Sequence, residues 1–234
     1  MTVVAILAGG TGTRMNNVLP KQFIEINGKP VIVRTLESFL SNDKISRVYL
    51  AINMEWKDYC VELLKKWNMP LELINIVPGG ESRFKSMYNV IDKVYRDGFA
   101  EDNIIIQDCA RPFVPKHVID DLIESKNNYD MVTACTPTIE TIVISSNLKI
   151  IEGMPPRSTT LLNQGPQIFN VKESKGMIDT LTEDEKLNFI EAGIMYFSKN
   201  KKVGIINGSP YSFKITTEFD LKLANLIAKE LDDD

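Results

Sequence analysis

An α/β fold with three layers and a mostly parallel central sheet is what this sequence predicts, on three observations. Apolar runs of strand length alternate with amphipathic stretches through the first hundred residues. A glycine-rich turn follows the first of those runs directly. The chain has 234 residues and 44% apolar content, enough for one large core.

The elements follow in order. Val3-Val4-Ala5-Ile6-Leu7 reads as a buried strand, and Pro30 suits the first turn of the helix after it. Strands over 47–52 and 71–77 alternate with helices over 56–67 and 82–95. In the last of these Ser82 is placed to cap, and Met87, Val90, Ile91 and Val94 form a core stripe. The run 103–107 is a further strand, which delivers Asp108 at its carboxyl end, the edge where open α/β sheets collect ligands. Residues 141–144 and 148–151 flank a Ser145-Ser146-Asn147 turn, and they predict a β-hairpin arm over about 137–162. Such an arm is marginal alone, so it packs on a second subunit or folds back on its own domain. Two short helical stretches, a strand near 202–206 and a last helix complete the chain. That helix opens on a Thr217-x-x-Asp220 capping box and turns Leu223, Ile227 and Leu231 inward, and its acidic end, Asp232-Asp233-Asp234, opposes the helix dipole and is expected to fray. One domain over 1–234 is expected.

Composition excludes several functions. A formal charge of −4 gives no electrostatic case for nucleic acid. Neither a membrane span nor a leader peptide is read, so a cytoplasmic protein is expected. Cys60, Cys109 and Cys135 have no C-x-x-C spacing, which suits reduced, buried thiols, and a lone His117 cannot build a histidine metal site within one subunit. Anionic small substrates must therefore be held by local cations.

Residues 7–23 supply such cations. Gly9, Gly10 and Gly12 let successive backbone N–H groups point into one concavity, and Arg14 and Lys21 add full charge. Met15 stands where a dinucleotide fingerprint needs its third glycine, and no Gly-Lys-Ser/Thr follows, so the two commoner nucleotide loops are excluded. A triphosphate cradle remains. Five segments in register then resemble the sugar-nucleotide pyrophosphorylase superfamily. They are the loop Leu7-Ala8-Gly9-Gly10-Thr11-Gly12 with Arg14 and Pro20-Lys21-Gln22-Phe23, Gly79-Gly80-Glu81-Ser82-Arg83-Phe84-Lys85-Ser86, Asp108-Cys109-Ala110-Arg111-Pro112-Phe113, Gly165-Pro166-Gln167-Ile168-Phe169 and Phe213-Lys214-Ile215-Thr216-Thr217. Within that superfamily the chain resembles the 2-C-methyl-D-erythritol 4-phosphate and ribitol-5-phosphate cytidylyltransferases.

The resemblance implies a Rossmann-like nucleotidyltransferase domain that dimerises through the arm. It implies Arg14, Lys21 and Lys214 as catalytic cations around the α-phosphate, and Leu7 to Gly12 with Gly80, Glu81, Arg83 and Ser86 as the CTP site. It also implies Asp108 as the Mg²⁺ ligand, although a carboxylate at a strand end can equally cap the next helix. Arg111 resembles an acceptor-phosphate or active-site arginine, and Thr141, Arg157 and Glu191 fall at acceptor-binding positions, Arg157 commonly serving the neighbouring subunit. Gln107 stands where the resembled enzymes usually have histidine, Gly165 where they have threonine, and Ile190-Glu191-Ala192 where they have Thr-Asp-Ala. The Gln107 departure leaves the metal role of Asp108 in place, whereas the other two, with the early loop and the stretch 181–197, resemble the polyol-phosphate branch. The expected reaction is CMP transfer from CTP to ribitol 5-phosphate or glycerol 3-phosphate, giving a CDP-alcohol for teichoic-acid or capsule precursors. The alternatives are methylerythritol phosphate or a phosphonate as acceptor, and a nucleotide-binding protein without turnover. The acceptor phosphate is already mostly dianionic, with a second pKa of roughly 6, so no protein nucleophile is required.

Overall fold

The computed structural model describes residues 1–10, 19–189 and 191–233. In chain order, β1 (Thr2–Ala8) is followed by β2 (Glu25–Ile26), β3 (Lys29–Pro30), α1 (Val31–Leu40), β4 (Ile45–Ile52), α2 (Lys57–Lys66), β5 (Ile74–Pro78), α3 (Arg83–Arg96) and β6 (Asn103–Asp108). The second half contains α4 (Lys116–Ser125), β7 (Met131–Pro137), β8 (Leu161–Asn170), α5 (Val171–Asp179), α6 (Glu183–Asn188), α7 (Ala192–Ser198), β9 (Val203–Asn207) and α8 (Glu218–Asp233). Seven strands form one sheet in the order β5-β4-β1-β6-β8-β7-β9. Among the described strands of this sheet only β8 runs antiparallel to its neighbours.

Alternation along each strand sorts the core into two sides. Val4, Ile6, Leu50 and Ile105 pack under α1, α2, α4 and α8, whereas Val3, Ala5, Leu7 and Ile106 pack under α3, α5 and α7. β1 is buried on both faces, as a parallel strand covered by two helix layers must be. This is the expected three-layer α/β fold. Ser82 caps α3 by accepting from the Lys85 N–H (3.0 Å), and Met87, Val90, Ile91 and Val94 are all fully buried. The three cysteines are buried and unpaired. Among the described residues no helix is long and apolar enough to cross a membrane.

Several local expectations are corrected. Pro30 ends β3 and is the N-cap of α1, one residue before its first turn. The segment expected as a strand over 71–77 opens as a 3₁₀ turn, Leu71–Leu73, before β5 begins. Among the described residues three helices, not two, lie between Asn170 and β9. The arm is present between β7 and β8, but its two strands reduce to a single bridge, Ile144 to Gly153. The Asn147 carboxamide accepts from the N–H groups of Lys149 and Ile150 (2.9 and 3.0 Å), so a local side-chain turn replaces the cross-strand ladder.

The last helix is rotated from its expected setting. Thr217 and Asp220 form the capping box, but Ala224 and Ala228 are the fully buried residues, while Leu223 and Leu231 are 38% and 52% exposed. Small alanines let α8 pack closely against the core. Its acidic end does not fray at Asp232. That carboxylate accepts from the Arg34 guanidinium at 2.9 and 2.6 Å and from Asn27 at 2.9 Å. Arg34 is buried and needs a counter-charge, which outweighs the unfavourable dipole.

Candidate active site

Parallel strands put their carboxyl ends at one edge of the sheet, and loops from three of them meet there. Leu7 pairs in register with Asp108, so the turn after β1 and the acid ending β6 are neighbours. Leu7, Ala8, Gly9 and Gly10 line a cavity of about 200 Å³ together with Lys21, the Gly80 to Arg83 loop, Ser86, Asp108, Cys109, Ala110 and Lys214. Lys214 arrives from far along the chain because its neighbours are anchored. The Ile215 N–H donates to the Ala110 carbonyl (2.9 Å), Ile215 is 1% exposed, and the Phe213 ring packs tilted against Phe113 with centroids 6.3 Å apart.

The second glycine loop is tightly drawn. The Gly79 N–H donates to the Ile52 carbonyl at 2.7 Å, and a Cβ on Gly79 would lie 3.3 Å from the Gly9 Cα, so the two glycine backbones touch. A Cβ on Gly80 would lie 2.3 Å from the Lys85 Cγ. The Ser86 hydroxyl accepts from the Gly80 N–H (2.9 Å) and donates to the Ser82 carbonyl (3.0 Å). Ser86 therefore shapes the loop through its hydroxyl while lining the cavity.

One carboxylate organises the cations. Asp108 Oδ1 accepts from Arg83 Nε at 2.8 Å and Oδ2 from Lys214 Nζ at 2.7 Å. Burial works to raise its pKa, but the charges and hydrogen bonds of Arg83 and Lys214 overcome that and hold it at about 2. Arg83 also reaches Glu191 (3.6 Å), whose carboxylate accepts from the Gln167 amide at 2.9 Å. Arg111 donates to the Ser212 carbonyl (2.7 Å), and burial lowers its pKa. A second, smaller recess shares Arg83 and Asp108 with the cavity and is lined also by Gln107, Arg111, Asn163, Gly165 and Glu191.

Of the residues singled out in the sequence, Leu7, Ala8, Gly9, Gly10, Lys21, Gly80, Glu81, Arg83, Ser86, Asp108 and Lys214 come together at the cavity, and Arg111 and Glu191 at the recess. Thr11, Gly12 and Arg14 lie outside the described residues. Thr141 and Arg157 are exposed on the arm and line neither space, and Arg157 donates to the Ile139 carbonyl at 3.4 Å. Sequence reasoning missed Gln22, Asn163 and the Gln167 to Glu191 bond. A polar Gln167 inside an otherwise apolar strand end was the available signal.

Among the described residues no group of three or more His, Cys, Asp or Glu can hold a metal. A protein-only cage is thus absent among them, and Asp108 stands as an ionised carboxylate paired with Arg83 and Lys214. That donor set fits Mg²⁺, which takes one or two carboxylates and completes its shell from substrate phosphates and water. Chemically, the arrangement can neutralise a polyphosphate and the charge that builds on phosphorus during displacement.

Comparison with known proteins agrees with this chemistry. The family model described as IspD, 2-C-methyl-D-erythritol 4-phosphate cytidylyltransferase, matches residues 2–230. Among solved structures, the chain is similar to the 2-C-methyl-D-erythritol 4-phosphate cytidylyltransferase of Francisella tularensis, with 25% identity over 96% of this chain and 98% of that one, and a TM-score of 0.79. It is similar in fold to 4-diphosphocytidyl-2C-methyl-D-erythritol synthase of Anaerococcus prevotii (22% identity, 97% and 98% covered, TM-score 0.75). The 2-C-methyl-D-erythritol 4-phosphate cytidylyltransferase of Thermus thermophilus shares the fold as well (20% identity, 98% and 100% covered, TM-score 0.76). These matches name the methylerythritol enzymes and not the polyol-phosphate branch expected from the sequence. Since the family match runs through every segment that lines the cavity, the chain belongs to the 2-C-methyl-D-erythritol 4-phosphate cytidylyltransferase family and is a CTP-dependent nucleotidyltransferase.

Proposed function

We propose that the protein transfers CMP from CTP to a phosphorylated sugar alcohol, with 2-C-methyl-D-erythritol 4-phosphate as the acceptor that the family match favours. The observation that carries this reading is the meeting of Lys21, Arg83 and Lys214 at one cavity beside the Gly9-Gly10 turn, where Asp108 holds Arg83 and Lys214. An oxygen of the acceptor phosphate attacks the α-phosphorus of CTP, the new phosphorus–oxygen bond forms, and the bond to the β-phosphate oxygen breaks to release pyrophosphate in line. No protein base is required, because the attacking phosphate is already ionised.

Lys21 and Lys214 stabilise the charge on the α-phosphate and the leaving group, together with Arg14 of the same sequence segment as Lys21. Mg²⁺, when bound with the triphosphate, supplies further neutralisation of phosphate oxygens, and Asp108 is the residue that would hold it. The exocyclic amine of cytosine needs an acceptor, which the Gly80 carbonyl or the Glu81 carboxylate can provide at the cavity wall. Arg111 and Glu191 serve the acceptor from the recess. Thr141 and Arg157 reach it across a homodimer built on the arm, where Ile139, Leu148, Ile150 and Ile151 are 83%, 92%, 64% and 59% exposed.

A second reading, ribitol 5-phosphate or glycerol 3-phosphate as acceptor, is favoured by Glu191, whose longer carboxylate reaches both Gln167 and Arg83 at the recess. Pyrophosphate release from CTP with each of the three acceptors tests both. Highest kcat/KM with methylerythritol phosphate supports the first reading, and a clear preference for a polyol phosphate replaces it with the second. CTP binding without release for any acceptor would leave a nucleotide-binding protein without turnover.

A further inference from the structure

β6 ends on two adjacent polar residues, and the site described so far uses only one of them. Gln107, next to Asp108, is 1% exposed. Its Nε2 donates to the Arg111 carbonyl at a long 3.4 Å, while its Oε1 is buried and meets no donor. Buried amide oxygens are almost always hydrogen-bonded, so an orphan of this kind calls for a partner. Turning the amide over does not supply one, because it sets Oε1 against the Arg111 carbonyl oxygen.

The oxygen borders a space built to stay open. β8 pairs with β6 only as far as Ile106 and Gln167, so the strands part at Gln107, and the recess lies in that split. Gly165 forms another part of its wall with φ +62°, and a Cβ there would lie 3.3 Å from Gln107 Oε1. Glycine at 165 therefore both permits the left-handed backbone and keeps a side-chain carbon from packing against the buried amide oxygen. The recess measures about 10 Å³, room for one water-sized group. Its contents must offer a donor to Gln107 and tolerate the Glu191 carboxylate, which excludes a phosphate oxygen and suits a hydroxyl, whose own oxygen can accept from Arg111.

We propose that Gln107 is a specificity-determining residue: its Oε1 accepts a hydrogen bond from one hydroxyl of the phosphorylated acceptor, lodged in the recess between Asp108, Arg111, Gly165 and Glu191. This rests on the proposed phosphorylated sugar alcohol as second substrate. The hydroxyl end of the acceptor is read here, and its phosphate stays with the cations of the larger cavity.

The test compares wild-type and Gln107→Leu proteins by pyrophosphate release, with thermal unfolding of both in parallel. At saturating CTP the acceptor KM rises about tenfold or more, and at saturating acceptor the CTP KM stays within about twofold. An unchanged acceptor KM overturns the proposal and leaves a buried water as the amide's partner. An equal rise in both constants also overturns it, since the side chain then shapes the whole site. Should Gln107→Leu fail to fold, Gln107→Asn, which withdraws the amide by one methylene, is judged by the same two constants. Wild-type protein that binds CTP but releases no pyrophosphate with any phosphorylated alcohol would sink the proposed function instead, a failure seen before any substitution is made.

Discussion

Lys214 Nζ donates to Asp108 Oδ2 at 2.7 Å, although 106 positions separate the two residues in the chain. The other oxygen of that carboxylate holds Arg83. A single half-buried acid thus holds two cations at the cavity beside Gly9 and Gly10. Preorganised charge of this kind needs no rearrangement when negative charge develops on phosphorus.

Lys214→Ala is expected to lower kcat/KM for CMP transfer by about 10²–10³ with an unchanged circular dichroism spectrum, the scale seen when a preorganised electrostatic donor is removed. Single-turnover pyrophosphate release measures it directly. A loss below about threefold would remove Lys214 from the reacting centre.

Asp108 carries a pH signature. Its folded-state pKa of about 2 lies below the value of roughly 3.9 for an unfolded aspartate. The group's contribution to stability is therefore complete above the unfolded value and is lost as pH falls through the folded one, and it amounts to roughly 2 kcal/mol. Urea unfolding of wild type and Asp108→Asn should show a stability gap near neutral pH that closes as pH drops from about 4 toward 2. A gap independent of pH would contradict the ion pairs.

Gly80→Ala places a methyl group 2.3 Å from the Lys85 Cγ and 2.8 Å from the Lys85 carbonyl carbon, so the loop must move. The loop lines the cavity beside Gly9 and Gly10, and CTP affinity measured by calorimetry is expected to fall about tenfold, with a stability loss of about 1–3 kcal/mol from overpacking. Unaltered CTP affinity would mean that the loop does not contact the nucleotide.

Asp232→Ala removes the counter-charge of Arg34, a guanidinium only 7% exposed whose other contact is the Ile26 carbonyl at 3.1 and 2.9 Å. Asp232 is itself about a third exposed, so solvent screens part of the loss. A shift of about 1–2 kcal/mol in urea unfolding, at constant m, is expected. An unchanged midpoint would show that the helix end contributes nothing.

The arm predicts an assembly. Wild-type protein should sediment as a dimer, and Leu148→Lys combined with Ile150→Lys, both on exposed apolar positions, should give a monomer with a raised acceptor KM. A fully active wild-type monomer would detach Thr141 and Arg157 from the acceptor site.

Much of the fold was legible in the sequence because it rests on periodicity. The alternation of β1, β4, β5 and β6 with their helices, the Ser82 cap and the Thr217 capping box each need only neighbours within a few residues. The glycine turns and Lys21 were legible for the same reason, as was the position of Asp108 at a strand end. Where a local signal competed with an equally local alternative, reading failed: Asn147 takes two backbone donors and dissolves the expected arm strands.

What the sequence by itself determined is the inventory of elements and the chemistry on offer, since strand and helix patterns and loop composition are short-range properties of the chain. Only the tertiary structure decided which charges meet: that Asp108 binds Arg83 and Lys214, that Glu191 joins Gln167, that Asp232 neutralises Arg34, and that Gln107 keeps an unpartnered oxygen at the split between β6 and β8. The reason is physical. Hydrogen bonds and ion pairs depend on distances of a few ångströms between atoms that sheet order and core packing bring together, and separation along the chain does not encode those distances.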